Sequence, residues 1–273
     1  MSRAGAIPQL MGIVNVTPDS FSDGGDFRDP EAAVAHARRL IAEGADLIDI
    51  GGESTRPGAP PVAEDEEIAR VAPVIAALRA ESAVPISIDT MKPAVARAAV
   101  AAGATLWNDV TALSWSSDSL ATAAELGCGV ILMHMRGDPR TMNARTAYAD
   151  VAGEVAGYLR DRADAAIAAG VRREAIRLDP GVGFAKTAPQ SLELLARLDR
   201  LTALGFPVVV GASRKSFLRH VDPSAKSADD RLAGSLAVAL AAARAGAAIL
   251  RVHDVAATRQ ALLTQAALAE AGL

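Results

Sequence analysis

The sequence is 273 residues long, with 28 Lys and Arg against 32 Asp and Glu for a net charge of −4, and 51% of its residues are apolar. That balance supports a large core and excludes a disordered chain. It also excludes bulk nucleic-acid binding, which needs a surplus of Lys and Arg to displace counterions, so any phosphate must be held by a few local cations.

Residues 1–9 carry one Arg and no apolar run long enough for a signal peptide. Charges and glycines interrupt every later apolar stretch well short of the roughly 18 residues of a membrane span. A single cysteine, Cys128, forms no internal disulfide and suits a reducing compartment. The expectation is a soluble cytoplasmic protein, with Cys128 a small buried residue ahead of a strand.

From the N-terminus, Val- and Ile-rich runs fall at 10–17, 47–52, 85–90, 105–111, 129–135, 176–179, 207–213 and 247–255. Stretches of helical character lie between them, near 30–43, 64–80, 92–102, 117–127, 148–169, 188–204 and 227–245, with a last one near 255–270. Pro30, Pro93 and Pro189 stand in or near first turns, and Gly44, Gly103, Gly127, Gly170, Gly205 and Gly246 follow helix ends, as capping asymmetry expects. Eight strand-then-helix units without a linker predict one α/β domain over 1–273, a (β/α)8 TIM barrel. The first strand leads into Asn15-Val16-Thr17-Pro18-Asp19-Ser20, with neither GxGxxG nor a Walker loop, so dinucleotide and P-loop binding fall away.

A TIM barrel builds its active site at the C-terminal strand ends. Those ends carry Asn15; Glu53, Ser54, Thr55 and Arg56; Asp89; Asn108 and Asp109; Met133 and His134; Asp179; Ser213 and Lys215; and Arg251 and His253. A single such residue is as readily a cap or turn residue; eight polar strand ends together are not. Alternation turns Ser87 and Asp89 inward and puts Arg251 and His253 on one face. Acids buried at that mouth need donors from a neighbour or a ligand, and a planar heterocycle with N–H groups supplies them. Lys215, Arg56, Arg251 and His253 make a local anion site, unless these cations pair instead with Asp89, Asp179 and Asp254. His36 and His220 read as solvated surface residues, and His134 as a helix-side core or loop residue. No HExxH or Cys/His cluster marks a zinc site; magnesium carried by a phosphorylated substrate, with Asn15 as an oxygen ligand, stays open.

These segments resemble a known family. MGIVNVTPDSFSDGG at 11–25 and DIGGESTRPG at 49–58 are similar to the two signature segments of dihydropteroate synthase. The likeness continues through Ser87-Ile88-Asp89-Thr90, Asn108-Asp109-Val110, Leu132-Met133-His134-Met135, Leu178-Asp179-Pro180-Gly181, Ser213-Arg214-Lys215-Ser216 and Arg251-Val252-His253-Asp254. It implies an enzyme of folate biosynthesis that joins 4-aminobenzoate to 6-hydroxymethyl-7,8-dihydropterin diphosphate and is a target of sulfonamides. By motif position, the resemblance implies a pterin pocket of Asp89, Asn108, Val110, Met133, Asp179 and Lys215, with Arg251 stacking on the ring. Thr55, Arg56, Arg251, His253 and Asn15 would meet diphosphate and Mg2+, and Pro57, Phe184, Ser213 and Lys215 would line the aminobenzoate site. Arg56, Lys215, Arg251 and His253 would carry the chemistry.

The chain departs from the family after Asn108-Asp109-Val110, where Thr111-Ala112-Leu113-Ser114-Trp115 replaces the usual Ser-Gly, and at Val182, where an aromatic is frequent. Two other readings are a pterin-binding paralogue without catalysis and a Schiff-base aldolase using Lys215. Long Ala/Leu stretches in the last two helices predict a homodimer, as the resemblance also implies. The Gly- and Pro-rich segments at 15–27 and 51–61 are expected to act as lids that diphosphate orders before aminobenzoate binds.

Overall fold

A computed structural model describes residues 7–17, 30–56 and 58–272. Most of the first expected lid, and Pro57 with it, lie outside the described residues. Eight strands alternate with helices in chain order: β1 Gln9–Asn15, α1 Pro30–Ala42, β2 Leu47–Gly51, α2 Glu64–Glu81, β3 Ile86–Asp89, α3 Pro93–Ala101, β4 Leu106–Asp109, α4 Ser119–Leu126, β5 Gly129–Met133, α5 Val151–Ala168 and β6 Ile176–Asp179. There follow α6 Ala188–Ala196, the short α7 Asp199–Thr202, β7 Val209–Val210, the short α8 Leu218–Val221, α9 Leu232–Arg244, β8 Ile249–Val252 and α10 Val255–Glu270. Every pairing is parallel, β1 through β6 in sequence, with β8 between β1 and β7. The ring closes between β6 and β7 through one bridge, Leu178 to Val208, where the Leu178 N–H donates to the Pro207 carbonyl at 3.0 Å. The expected single-domain (β/α)8 barrel is the architecture found.

Side chains sort by strand face. Outward residues such as Val14, Ile48, Ile50, Ile88, Trp107, Leu132 and Leu250 join the helices in the main core. Inward, Met11, Leu47, Leu106, Ile131, Val209 and Ile249 plug the base of the barrel. Near the opposite end Met91, Val110, Met133, Met135, Met142 and Ala185 form a second apolar group, with Phe184 packed against it. Between these two groups the inward positions are mostly polar, with Ile13 beside Asp49 an apolar member, and that layer positions the site.

Several local boundaries differ from those expected. The stretch expected as one helix over 188–204 breaks after Ala196, because Arg197 takes φ −113° and ψ 33° before α7. The stretch at 227–245 starts its α-helix only at Leu232, after a 3-10 turn at Asp229–Arg231. Strand β7 is shorter than 207–213: only Val209 and Val210 pair with β8, Val208 bridges to Leu178, and beyond the strand the chain turns at Arg214, whose φ is +58° and whose guanidinium binds Asp254 and Asp229. Departure from the family motif after β4 produces a built loop: Ala112 and Leu113 have positive φ, Arg162 caps both their carbonyls, and Asp109 accepts from Thr111 N, Thr111 Oγ1 and Leu113 N. Asp109 is thus a loop anchor rather than a ligand contact. Among the described residues no helix is long and apolar enough to cross a membrane.

Candidate active site

The floor of the mouth is a buried charge cluster. Arg251, inward on β8, donates from Nε to Asp49 Oδ2 at 2.6 Å and from Nη2 to Asp89 Oδ2 at 2.7 Å. Asn108 Nδ2 reaches the same Asp49 oxygen at 3.2 Å. Three strands are tied through one guanidinium whose fork geometry suits two carboxylates. Asp49 and Ser87 are register partners on β2 and β3, and Asp89 stands two residues above Ser87 on the same face. Among the described residues, Asp49 Oδ1, Asp89 Oδ1 and Ser87 Oγ are buried without a hydrogen-bond partner. Such orphaned oxygens in a native site call for an explanation.

Asp179 caps the turn that follows β6 by accepting the Gly181 N–H at 2.7 Å. Beside it, the inward Gly211 leaves room: a Cβ there would stand 3.7 Å from both Arg251 Cδ and Asp179 Oδ2. Lys215 donates to the Val182 carbonyl, and its ammonium lies 4.4 Å from the centre of the Phe184 ring. Val110, Met133 and Phe184 share one apolar wall, so the pocket has a polar floor and a methionine-rich side.

Electrostatics follow from burial. Asp89 is raised to about 7, chiefly by desolvation, which the nearby Arg251 only partly offsets. Asp179 is also raised by burial, against the pull of Lys215. Lys215 is lowered to about 8 by the same desolvation. Burial works against the charge of Arg251, but Asp49 and Asp89 outweigh it and hold its pKa above the ordinary value.

Two expectations about the cations change. The four-cation anion site is not present as such, because Arg251 is already committed to Asp49 and Asp89, and Arg214 holds Asp254. His253 is lowered to about 4 by burial and by Arg251 and Arg214, so near pH 7 it offers a hydrogen bond and no charge. Ser213 Oγ accepts its backbone N–H at 3.2 Å and lies 3.0 Å from its Nδ1. Arg56, exposed at the rim, is near enough to His253 to help lower its pKa, and forms no ion pair among the described residues. Thr55 stands half-buried beside it. This rim is rooted by Lys92, whose Nζ meets Glu53 at 2.8 Å, Glu67 at 2.7 Å and the Val62 carbonyl at 2.5 Å.

Asn15 ends β1 half-buried, with no side-chain hydrogen bond to the described residues. Asp49, Lys186 and the role of His134 were not foreseen. Alternation along Leu47-Ile48-Asp49-Ile50 would have turned Asp49 inward by the rule applied to β3. Lys186 carries no such periodic signal. It is buried against His134, which is itself buried with its ring edge-on to Tyr158, and desolvation lowers Lys186 to about 7 and His134 to about 3. His36 is half-buried against Arg39, and His220 is exposed as expected.

A family model described as pterin binding enzyme matches residues 11–253. A dihydropteroate synthase from Synechocystis sp. is 47% identical over 253 residues, spanning 92% of this chain and 86% of its own. Dihydropteroate synthase from Xanthomonas albilineans, solved with 4-aminobenzoic acid, is similar at a TM-score of 0.91 and 50% identity, over 96% of this chain and 93% of that one. The same enzyme in complex with 7,8-dihydropteroate gives a TM-score of 0.88 and 48% identity, over 96% and 94%.

Proposed function

The chain belongs to the dihydropteroate synthase family, and from that premise we propose that its barrel mouth condenses 6-hydroxymethyl-7,8-dihydropterin diphosphate with 4-aminobenzoate, giving 7,8-dihydropteroate and diphosphate. The observation that carries the reading is the set of orphaned acceptors, Asp49 Oδ1, Asp89 Oδ1 and Ser87 Oγ, inside a closed polar floor. A buried acceptor left open is stabilised by an N–H donor, and the amino and ring N–H groups of a pterin supply several in one plane. Asp179 and Asn108 extend that floor, and Val110 and Met133 offer the ring an apolar wall.

The reaction breaks the bond between the pterinylmethyl carbon and a diphosphate oxygen, and the electron pair leaves with that oxygen. The neutral aryl amine forms the new C–N bond and then loses its proton to solvent. An electron-rich pterin stabilises positive charge at the methylene carbon, so the protein's task is to orient two partners and absorb negative charge on the leaving group. Arg56 at the rim and the ring N–H of neutral His253 serve that end, while Arg251 below them holds the acidic floor together. Phe184, Ser213 and Lys215 line the entry of the aminobenzoate, and Thr55 beside Arg56 faces the diphosphate.

Magnesium arriving on the diphosphate would neutralise its oxygens further. Asn15 fits such a role as a single oxygen ligand, and among the described residues no cluster of His, Cys, Asp and Glu forms a metal site of its own. A coupled assay of diphosphate release tests the function: release should require both substrates, and chelation should abolish it. Asn15→Ala should raise the magnesium concentration for half-maximal activity several-fold while leaving pterin affinity in the absence of metal unchanged. No release with both substrates and magnesium present would sink the reading in favour of a binding-only paralogue.

We place the enzyme in the cytoplasm as a homodimer built on α9 and α10. Leu232, Leu263 and Leu268 on these helices are 36%, 48% and 47% exposed, apolar side chains that a second copy would cover. Light scattering at micromolar concentration should return twice the chain mass, and a monomer mass would remove the dimer.

A further inference from the structure

Between Asp179 and α6 the chain makes a tight loop in which Gly181, Gly183 and Ala185 all have positive φ, at 66°, 79° and 49°. Gly181 packs so closely on the segment after β5 that a Cβ would run into the carbonyl oxygen of His134. Such a loop needs its carbonyls satisfied from outside. Lys186, 8% exposed, does this with one amine: Nζ donates to the carbonyls of Gly181 and Phe184 at 2.9 Å each, and lies 2.9 Å from His134 Nδ1 and 3.4 Å from the His134 carbonyl. Among the described residues no carboxylate lies within ion-pair distance of it. An ammonium has three N–H donors, and here each faces a neutral acceptor in the loops after β5 and β6. On the other side of the same loop Lys215 holds the Val182 carbonyl and lies over the Phe184 ring.

We propose that Lys186 is a positioning residue for the second-substrate subsite, because its clip on Gly181, Phe184 and His134 sets where the Phe184 ring stands relative to Lys215. This rests on the reading of Phe184 as a wall of the aminobenzoate site. The pterin floor is held mainly elsewhere: Asp179 sits in the β-ladder opposite Met133 and meets the clipped loop through the Gly181 N–H alone, and Asp49 and Asp89 are fixed by Arg251. Loss of the clip therefore acts on one substrate more than the other.

Lys186→Met keeps the aliphatic stem and removes the three donors. With hydrogen bonds of ordinary strength, the KM for 4-aminobenzoate should rise by about tenfold or more, while that for the pterin diphosphate changes by less than about threefold. Amides of 181–185 should exchange with deuterated solvent faster than in the wild type, a readout taken without substrates. Lys186→Gln, which retains two donors, should fall between the two, and it carries the test if the Met variant does not fold. A merely structural role would lower the active fraction and move both KM values together or neither. An unchanged KM ratio in active variants, or unchanged exchange at 181–185, overturns the positioning role alone. A wild-type protein that turns over neither substrate overturns the functional reading and this role with it.

Discussion

Arg251→Met is expected to abolish turnover and to cost roughly 3–5 kcal/mol of stability, because it leaves buried carboxylates without their cation. Asp49 is fully buried and Asp89 nearly so, and both depend on the one guanidinium at 2.6 and 2.7 Å. Arg251→Lys should recover part of the stability and little of the activity, since a single ammonium has no fork to bridge two acids. Adding Asp49→Asn and Asp89→Asn to Arg251→Met relieves the repulsion and should restore much of the melting temperature while the enzyme stays inactive. Calorimetric unfolding and the diphosphate assay separate the two effects. A single Met variant as stable as the wild type would contradict the charge cluster described above.

Asp179→Asn is expected to leave the fold intact and weaken pterin binding. The amide oxygen of the variant can still accept the Gly181 N–H, so the turn after β6 keeps its cap. The amide nitrogen, however, presents donors where the ring of the ligand also presents donors. Each buried mismatch costs roughly 1–3 kcal/mol, about ten- to a hundredfold in affinity. Isothermal titration with the pterin diphosphate reads this directly, and an affinity equal to the wild type would take Asp179 out of the site.

Most of the architecture is legible in the sequence because a parallel barrel repeats one local pattern. Val- and Ile-rich runs punctuated by helix starts and glycine stops locate all eight strands, and alternation correctly turns Ser87, Asp89 and Arg251 inward. What the pattern does not contain is long-range pairing. Nothing local says that Arg251 spans to Asp49 and Asp89, 202 and 162 residues away in sequence, or that burial strips His253 of its charge. The break after Ala196 and the shortness of β7 carry no local signal either, and Lys186 acquires its acceptors only when two loops meet.

The seam between β6 and β7 has a mechanical consequence. Five residue pairs join β1 to β2, whereas a single bridge joins β6 to β7. The ring is therefore closer to a C-shaped clamp than to a uniform hoop, and its gap lies beside the site, with Asp179 on one jaw and Lys215 carried by the other. Local opening favours the region with the fewest backbone bonds, so the jaws are where the native barrel should breathe first. In the proposed site, a pterin gripped from both sides would act as a crossbar between them. Its binding free energy, about 2.7 kcal/mol of added stability at a hundred times Kd, would then be concentrated at the weakest joint, and the substrate would complete the closure that the strands leave to one bridge.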